Sequence, residues 1–158
     1  MNSGGPDGEI GASMRYLSQR FTAPNRVCMA VLTDVATEEL GHLEMVSTIV
    51  HQLTANLTVE EIEKQGFADY YVDHAVGIWP QSAGGIPFNS CEFQSKGDPI
   101  TDMFESMAAE QKARSTYDNI LRVVRDIPEI ADPIRFLRAR EVVHFQRFGE
   151  ASSLSRIS

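Results

Sequence analysis

The sequence predicts an all-α protein, a four-helix bundle whose second and third helices are joined by one long crossover. Three observations lead there. Apolar residues recur at helical spacing over four separate stretches, and a Gly- and Pro-rich interruption divides them two and two. A carboxylate and histidine pattern also occurs once in each half: Glu9 is followed 30 residues later by Glu39-Leu40-Gly41-His42, and Glu110 is followed 31 residues later by Glu141-Val142-Val143-His144. Positions i and i+3 share a helix face, so each Glu-x-x-His sets a carboxylate beside an imidazole.

Asp7 to Phe21 carries Ile10, Met14 and Leu17 at helical spacing, and Thr22-Ala23-Pro24-Asn25 breaks it. Arg26 to about Ala55 has Val27, Val31, Val35, Leu40, Leu43, Val46, Val50 and Leu53 with no internal Pro, which predicts one long helix. Thr58-Val59-Glu60-Glu61 is a capping-box pattern that opens a short helix, and Gly66 is placed to stop it. Between Gly66 and Gly97 the pattern dissolves into Gly77, Pro80, Gly84, Gly85 and Pro87 among aromatics. A loop of that length inside a compact domain needs a role. The crossover of a ferritin-like bundle supplies one. Asp98-Pro99 opens a third helix to about Asp126, with Ile100, Met103, Phe104, Met107, Tyr117, Leu121 and Val124 expected inside. Asp132-Pro133 is read as opening the fourth in the same way, with Ile134, Leu137, Val142, Phe145 and Phe148 toward the core and a frayed tail beyond Leu154.

The spacing between the acids has a geometric reason. At 1.5 Å per residue, Glu9 to about Phe21 rises about 18 Å, and Arg26 to Glu39 returns about 20 Å, so an antiparallel hairpin brings the two carboxylates to one height. Two lone Glu and two Glu-x-x-His pairs, from four helices, form the ligand set of dinuclear iron and manganese carboxylate bundles. Each residue also has a plainer reading. Glu is usually a solvated surface acid. Yet Leu40, Leu43 and Val46 flank Glu39 and His42 on what must be a core face, and each of His42 and His144 has a carboxylate one turn earlier. His51 and His74 lack that partner and are read as non-ligands. Gly41, inside the second helix, costs about 1 kcal/mol relative to Ala, which suggests room kept for a neighbouring helix. Tyr16, two turns after Glu9, is placed to hydrogen-bond a metal-bound carboxylate. The six Met are core filler.

Composition fits one domain over the whole chain, 1–158. With 42% apolar and 23% charged residues the chain resembles an ordinary soluble globular protein. The net charge of -8 argues against nucleic acid or an anionic membrane surface as a partner. No apolar run nears the roughly 20 residues of a membrane span, and no N-terminal segment reads as a secretion signal, so a cytoplasmic location is expected. Cys28 and Cys91 are single and far apart, and are read as free thiols.

The run Gly4-Gly5-Pro6-Asp7-Gly8-Glu9, the block from Thr33 to Met45 around Glu39-Leu40-Gly41-His42, the segment Ala109-Glu110-Gln111-Lys112-Ala113-Arg114 and Arg140-Glu141-Val142-Val143-His144 closely resemble the non-haem manganese catalases. The likeness covers essentially the whole chain and is to the short branch that includes bacterial spore-coat proteins. It implies that Glu9, Glu39, His42, Glu110 and His144 ligate two manganese ions per chain, with Glu39 bridging them, and that Glu141 carries protons instead of binding metal. It further implies hydrogen peroxide as substrate, a homo-oligomer, and assembly with other coat proteins in the spore coat. The 66–97 loop, with Tyr70, Tyr71, Trp79 and Phe88, would wall a peroxide channel and meet a neighbouring subunit. Two departures stand out. Ala109 occupies a position where some members carry Arg, and the family's segment ahead of Gly4-Gly5 is lacking, so metal held through Glu9 and His42 is expected to bind more weakly than metal held through Glu110 and His144.

Peroxide disproportionation takes two electrons from one molecule and gives them to the next, and two metals each changing by one unit can hold both. Carboxylate and imidazole ligands suit manganese or iron, so two rivals stay open: a di-iron ferroxidase or oxygen-activating enzyme, and a mainly structural coat protein with a weak site.

Overall fold

The computed structural model describes residues 4, 5, 8–66, 68, 82, 86 and 88–155, and among these the secondary structure is helical with no strand. Helix α1 spans Glu9–Gln19 and passes through a 3-10 turn, Arg20–Thr22, into α2, Arg26–Thr54. The short α3 covers Val59–Lys64, α4 covers Pro99–Val124 and α5 covers Pro128–Ser155. Four of them form a ring. Helix α1 packs along α2 and α4 along α5, while α2 also meets α5 and α1 meets α4. The arrangement is a ferritin-like four-helix bundle.

The helix ends follow the sequence signals. Asn25 accepts the Cys28 N–H at 2.9 Å and Asp98 accepts the Thr101 N–H at 2.8 Å, satisfying N-terminal donors of α2 and α4. Thr58 and Glu61 close both halves of the capping box on α3. Gly66 and Gly97, at the two ends of the crossover, have φ of +77° and +78°, where a side chain would be strained. Buried Asp102 fixes the far end by accepting the backbone N–H groups of Lys96 at 2.6 Å and Gly97 at 3.1 Å. Tyr70, Tyr71 and Trp79, expected to wall a channel, and His74 lie outside the described residues, as does the chain beyond Ser155. Phe88 is described and stacks edge-on against Phe93.

The last helix differs from expectation. It begins at Pro128, not at Pro133, which sits inside it. Pro128 takes the first helical position, where a missing N–H costs nothing, and the three residues Arg125 to Ile127 make the connection. Buried Ala131 and Ile134, with Ile130 packed against the same cluster, give the first turn enough tertiary contact to outweigh the one hydrogen bond that Pro133 removes.

The buried stripe of α2 runs through Cys28, Leu32, Val35, Ala36, Glu39 and His42. Val27, Leu40 and Leu53, expected inside, are exposed, because turning Glu39 inward rotates its neighbour Leu40 by about 100°. Met14 and Phe104 are exposed for the same kind of reason, since α1 and α4 turn Glu9, Tyr16, Glu110 and Tyr117 inward. Gly41 also faces out. A Cβ there would meet nothing within 4 Å, so it reserves no space for a neighbouring helix of this chain. Cys28 is buried and Cys91 exposed, and neither forms a disulfide.

Two apolar clusters result. One joins Tyr16, Cys28, Leu32, Val35, Ala36, Met103, Phe148 and Ala151; the other joins Tyr117, Ile134 and Leu137. Between them, at matching heights on all four helices, lies a layer of buried acids and histidines.

Candidate metal centre

Glu9, Glu39, His42, Glu110, Glu141 and His144 are each at most 3% exposed. Six such groups in an apolar bundle would be strongly unfavourable without compensation. Glu39 lies between the two imidazoles, with Oε2 2.8 Å from His42 Nδ1 and Oε1 2.7 Å from His144 Nδ1. Glu110 Oε2 is 3.3 Å from His144 Nδ1, and Glu141 Oε1 is 3.7 Å from His42 Nδ1. The rings of His42 and His144 stack with centroids 5.4 Å apart. Glu39, His42, Glu141 and His144 each offer a ligand atom, all within 4.8 Å of one another. Glu9 and Glu110 stand outside that tightest set, each hydrogen-bonded to a tyrosine. His51 is exposed.

The donor set fits a metal. Glu39 Oε1, Glu110 Oε2, Glu141 Oε1 and His144 Nδ1 are buried and lack a hydrogen bond of acceptable geometry, although several approach within ion-pair distance. Converging lone pairs that do not bond one another are what a cation requires. Two or more carboxylates with imidazole and no thiolate favour manganese or iron.

Burial, then the neighbouring Glu110, Glu9 and Glu39 carboxylates, push the Glu141 carboxyl up to about 12. Burial likewise raises Glu9, with Glu39 adding to it, and burial raises Glu39. The stacked imidazoles part company: burial lowers His42, whereas His144, against burial, is drawn up to about 10 by Glu110 and Glu39. Without a metal, this layer holds protons in its place.

Four contributors escaped the sequence reading. Glu38 lies on the far side of both rings, its Oε2 3.2 Å from His144 Nε2 and its Oε1 3.6 Å from His42 Nε2, so the Nδ1 atoms are left facing the acids. Arg140 grips Glu38 through two hydrogen bonds, that from Nη2 being 3.0 Å. Against the effect of burial, Arg140 and His144 hold the Glu38 carboxyl down at about 2. A carboxylate behind a ligating imidazole fixes its tautomer and orientation. The visible signal was Glu38 four residues before His42. The third contributor is Tyr117, seven residues after Glu110 as Tyr16 is seven after Glu9. The two tyrosines cross: Tyr16 Oη donates to Glu110 Oε1 and Tyr117 Oη donates to Glu9 Oε1. The fourth is Arg15, 2% exposed beside the acids.

Sequence comparison adds the lineage. The pattern described as "Manganese containing catalase" matches residues 2–156. The chain belongs to that family. It is 47% identical over 148 residues to Protein CotJC of Bacillus subtilis strain 168, covering 94% of this chain and 77% of that protein. It is 30% identical over 148 residues to a probable manganese catalase of Clostridium acetobutylicum, covering 94% of this chain and 65% of the other. Among solved structures, the manganese catalase KatB from Anabaena superposes with a TM-score of 0.84 at 29% identity, over 95% of this chain and 67% of that one. The chain spans about two thirds of the length of these last two proteins.

The crossed tyrosines are testable. Tyr117→Phe is expected to weaken the metal at the Glu9 side about tenfold or more, and Tyr16→Phe the metal at the Glu110 side, by freeing a carboxylate each tyrosine orients. Manganese titration by calorimetry would read both. Affinities within twofold of wild type in both variants would mean that the phenols only fill space.

Proposed function

We propose that the chain is a catalase that disproportionates hydrogen peroxide to water and oxygen at a dinuclear manganese site. The observation that carries this is Glu39, a buried carboxylate with one oxygen near each of two Nδ1 atoms, in a chain of the manganese-containing catalase family. Glu9, Glu39, His42, Glu110 and His144 would hold two manganese ions. When bound, the pair supplies the exchange of two electrons with peroxide, one unit of oxidation state per ion.

The remaining work falls to the chain. Glu141, a buried carboxyl beside Glu39 and the two imidazoles, would hold the proton that is given to and taken back from the reacting oxygen. Glu38 and Arg140 hold the imidazole rings with Nδ1 inward. The apolar clusters above and below exclude bulk water, so protons pass through a placed carboxyl. A homo-oligomer, and assembly with other proteins in a spore coat, complete the proposal on the strength of the resemblance.

The test is metal analysis of protein made in manganese-supplemented cells, joined to an oxygen electrode. About two manganese per chain and one oxygen per two peroxides are expected. Tightly held iron with ferrous oxidation and no oxygen release would point to the di-iron rival. Full manganese loading with no oxygen release would point to a structural role.

A further inference from the structure

We propose that the outer face formed by α2 and α5 docks a second copy of this chain, about a twofold axis parallel to the helices that lays α2 of each copy on α5 of the other. The inference deepens the homo-oligomer part of the reading above and does not depend on the metal. Phe136 is 51% exposed and Val27 55% exposed, although both adjoin the seam between the two helices. Phe136 lies one turn from Arg140 and Val27 two turns from Asp34, and Arg140 and Asp34 belong to the pairs that cross that seam. Beside them the surface is low. A Cβ on Gly41 would meet nothing within 4 Å, and Ala139 is exposed. At 1.5 Å per residue α2 is about 43 Å long, and two helices side by side are about 20 Å across, so the face offers about 850 Å², close to the roughly 800 Å² per partner of a specific interface.

Charge decides the occupant and its orientation. From Val27 to Thr54, α2 carries Asp34, Glu38, Glu39 and Glu44 and no Lys or Arg. From Pro133 to Gly149, α5 carries Arg135, Arg138, Arg140 and Arg147, and its one acid there, Glu141, is buried. The face is therefore acidic along one helix and basic along the other. A twofold contact brings the same patch of both copies together. An axis running across the helices would set α2 on α2 and α5 on α5, like charge on like, whereas an axis parallel to them sets acid on base. Such an axis also preserves height. The pairs of Arg140 with Glu38 and Arg147 with Asp34 fix the register of the antiparallel helices, which puts Gly41 level with Ala139 and Glu44 level with Arg135. Between copies, Gly41 then faces Ala139, where two small residues let the helices come close, and exposed Glu44 faces exposed Arg135. Within one chain these two charges stand on opposite outer edges of the face, since Glu44 is turned about 120° from Glu38 around α2 and Arg135 about 140° from Arg140 around α5. Arg135 also bonds Asp132 at 2.5 Å, an exposed pair of small energy that leaves other guanidinium donors available.

Sedimentation equilibrium of the full chain is the test. Wild type is expected to self-associate at about micromolar concentration, in keeping with the size of the face. Glu44→Arg and Arg135→Glu are each expected to weaken association about tenfold or more by setting like charges together, and the double variant to return to within about threefold of wild type. Because the two residues do not meet inside one chain, that rescue reports contact between copies. Gly41→Gln is expected to weaken association about tenfold or more while the melting temperature of the diluted, monomeric protein stays level or rises, since glycine is a poor helix former and the added side chain meets nothing in its own chain. Association within about twofold of wild type in all of these variants would place the contact elsewhere and overturn this interface while leaving the homo-oligomer standing. Single variants that weaken association without rescue in the double would overturn the pairing of α2 on α5. A wild type that stays monomeric at about 100 μM would overturn the interface and the homo-oligomer together, and oxygen release by that monomer would leave the catalase reading intact. Should a charge variant fail to fold, Gly41→Gln decides: weakened association of the folded protein supports the interface, and association equal to wild type overturns it.

Discussion

Glu39→Gln is expected to strip the protein of nearly all its manganese, whereas Glu141→Gln keeps most of the metal and loses at least about 10² in rate. The two acids differ in place. Glu39 has one oxygen 2.8 Å and the other 2.7 Å from the two Nδ1 atoms, and the proposed function has it held by both cations. A neutral amide there offers one oxygen and no charge to two metal ions. Glu141 approaches His42 at only 3.7 Å, and in the metal-free protein burial and the neighbouring carboxylates push its carboxyl up to about 12. Its amide replacement preserves shape and removes the transferable proton. Metal content by mass spectrometry and oxygen release from the same preparations would decide. Complete loss of manganese from Glu141→Gln would make it a ligand, in keeping with its place among the four groups within 4.8 Å.

Removal of the metal should make stability fall as pH rises. Glu9, Glu39 and Glu141 all have carboxyls raised above their unfolded values, Glu141 to about 12, and His144 is raised to about 10. A group with a raised folded pKa contributes stability that is complete below its unfolded pKa and is lost as pH climbs toward the folded one. For the three acids the loss starts near pH 4.5, and for His144 near 6.5. Lowered His42 acts oppositely only below about 6.5, and Glu38, lowered to about 2, only below about 4.5. Above pH 6.5 these shifts therefore pull one way. Manganese reverses the trend, because it binds deprotonated ligands and its affinity grows with pH. With manganese near a thousand times its Kd, the gap in melting temperature between loaded and chelated protein should reach about 10 °C at pH 8 and narrow toward pH 6. A chelated protein that grows more stable from pH 7 to 9 would contradict this account.

Much of this protein was determined by its sequence alone. Helical periodicity and two Glu-x-x-His pairs 102 residues apart predict the bundle and its central acids, because a helix obliges residues i and i+3 to share a face. Gly66, Thr58 and Asp98 mark helix ends by chemistry that acts within one turn. What only tertiary structure decided involves partners far apart in the chain. Which apolar residues face inward depended on turning the acids toward the axis, so Leu40 and Phe104 ended outside despite their hydrophobicity. Pro133 entered a helix because packing of Ala131 and Ile134 outweighed a rule about local backbone. Tyr117 reaches Glu9 across 108 residues, and Arg140 reaches Glu38 across 102. Local periodicity says which face a residue occupies; which atoms meet across the bundle is set by the relative rotation and height of four packed helices, and no single helix's sequence encodes that.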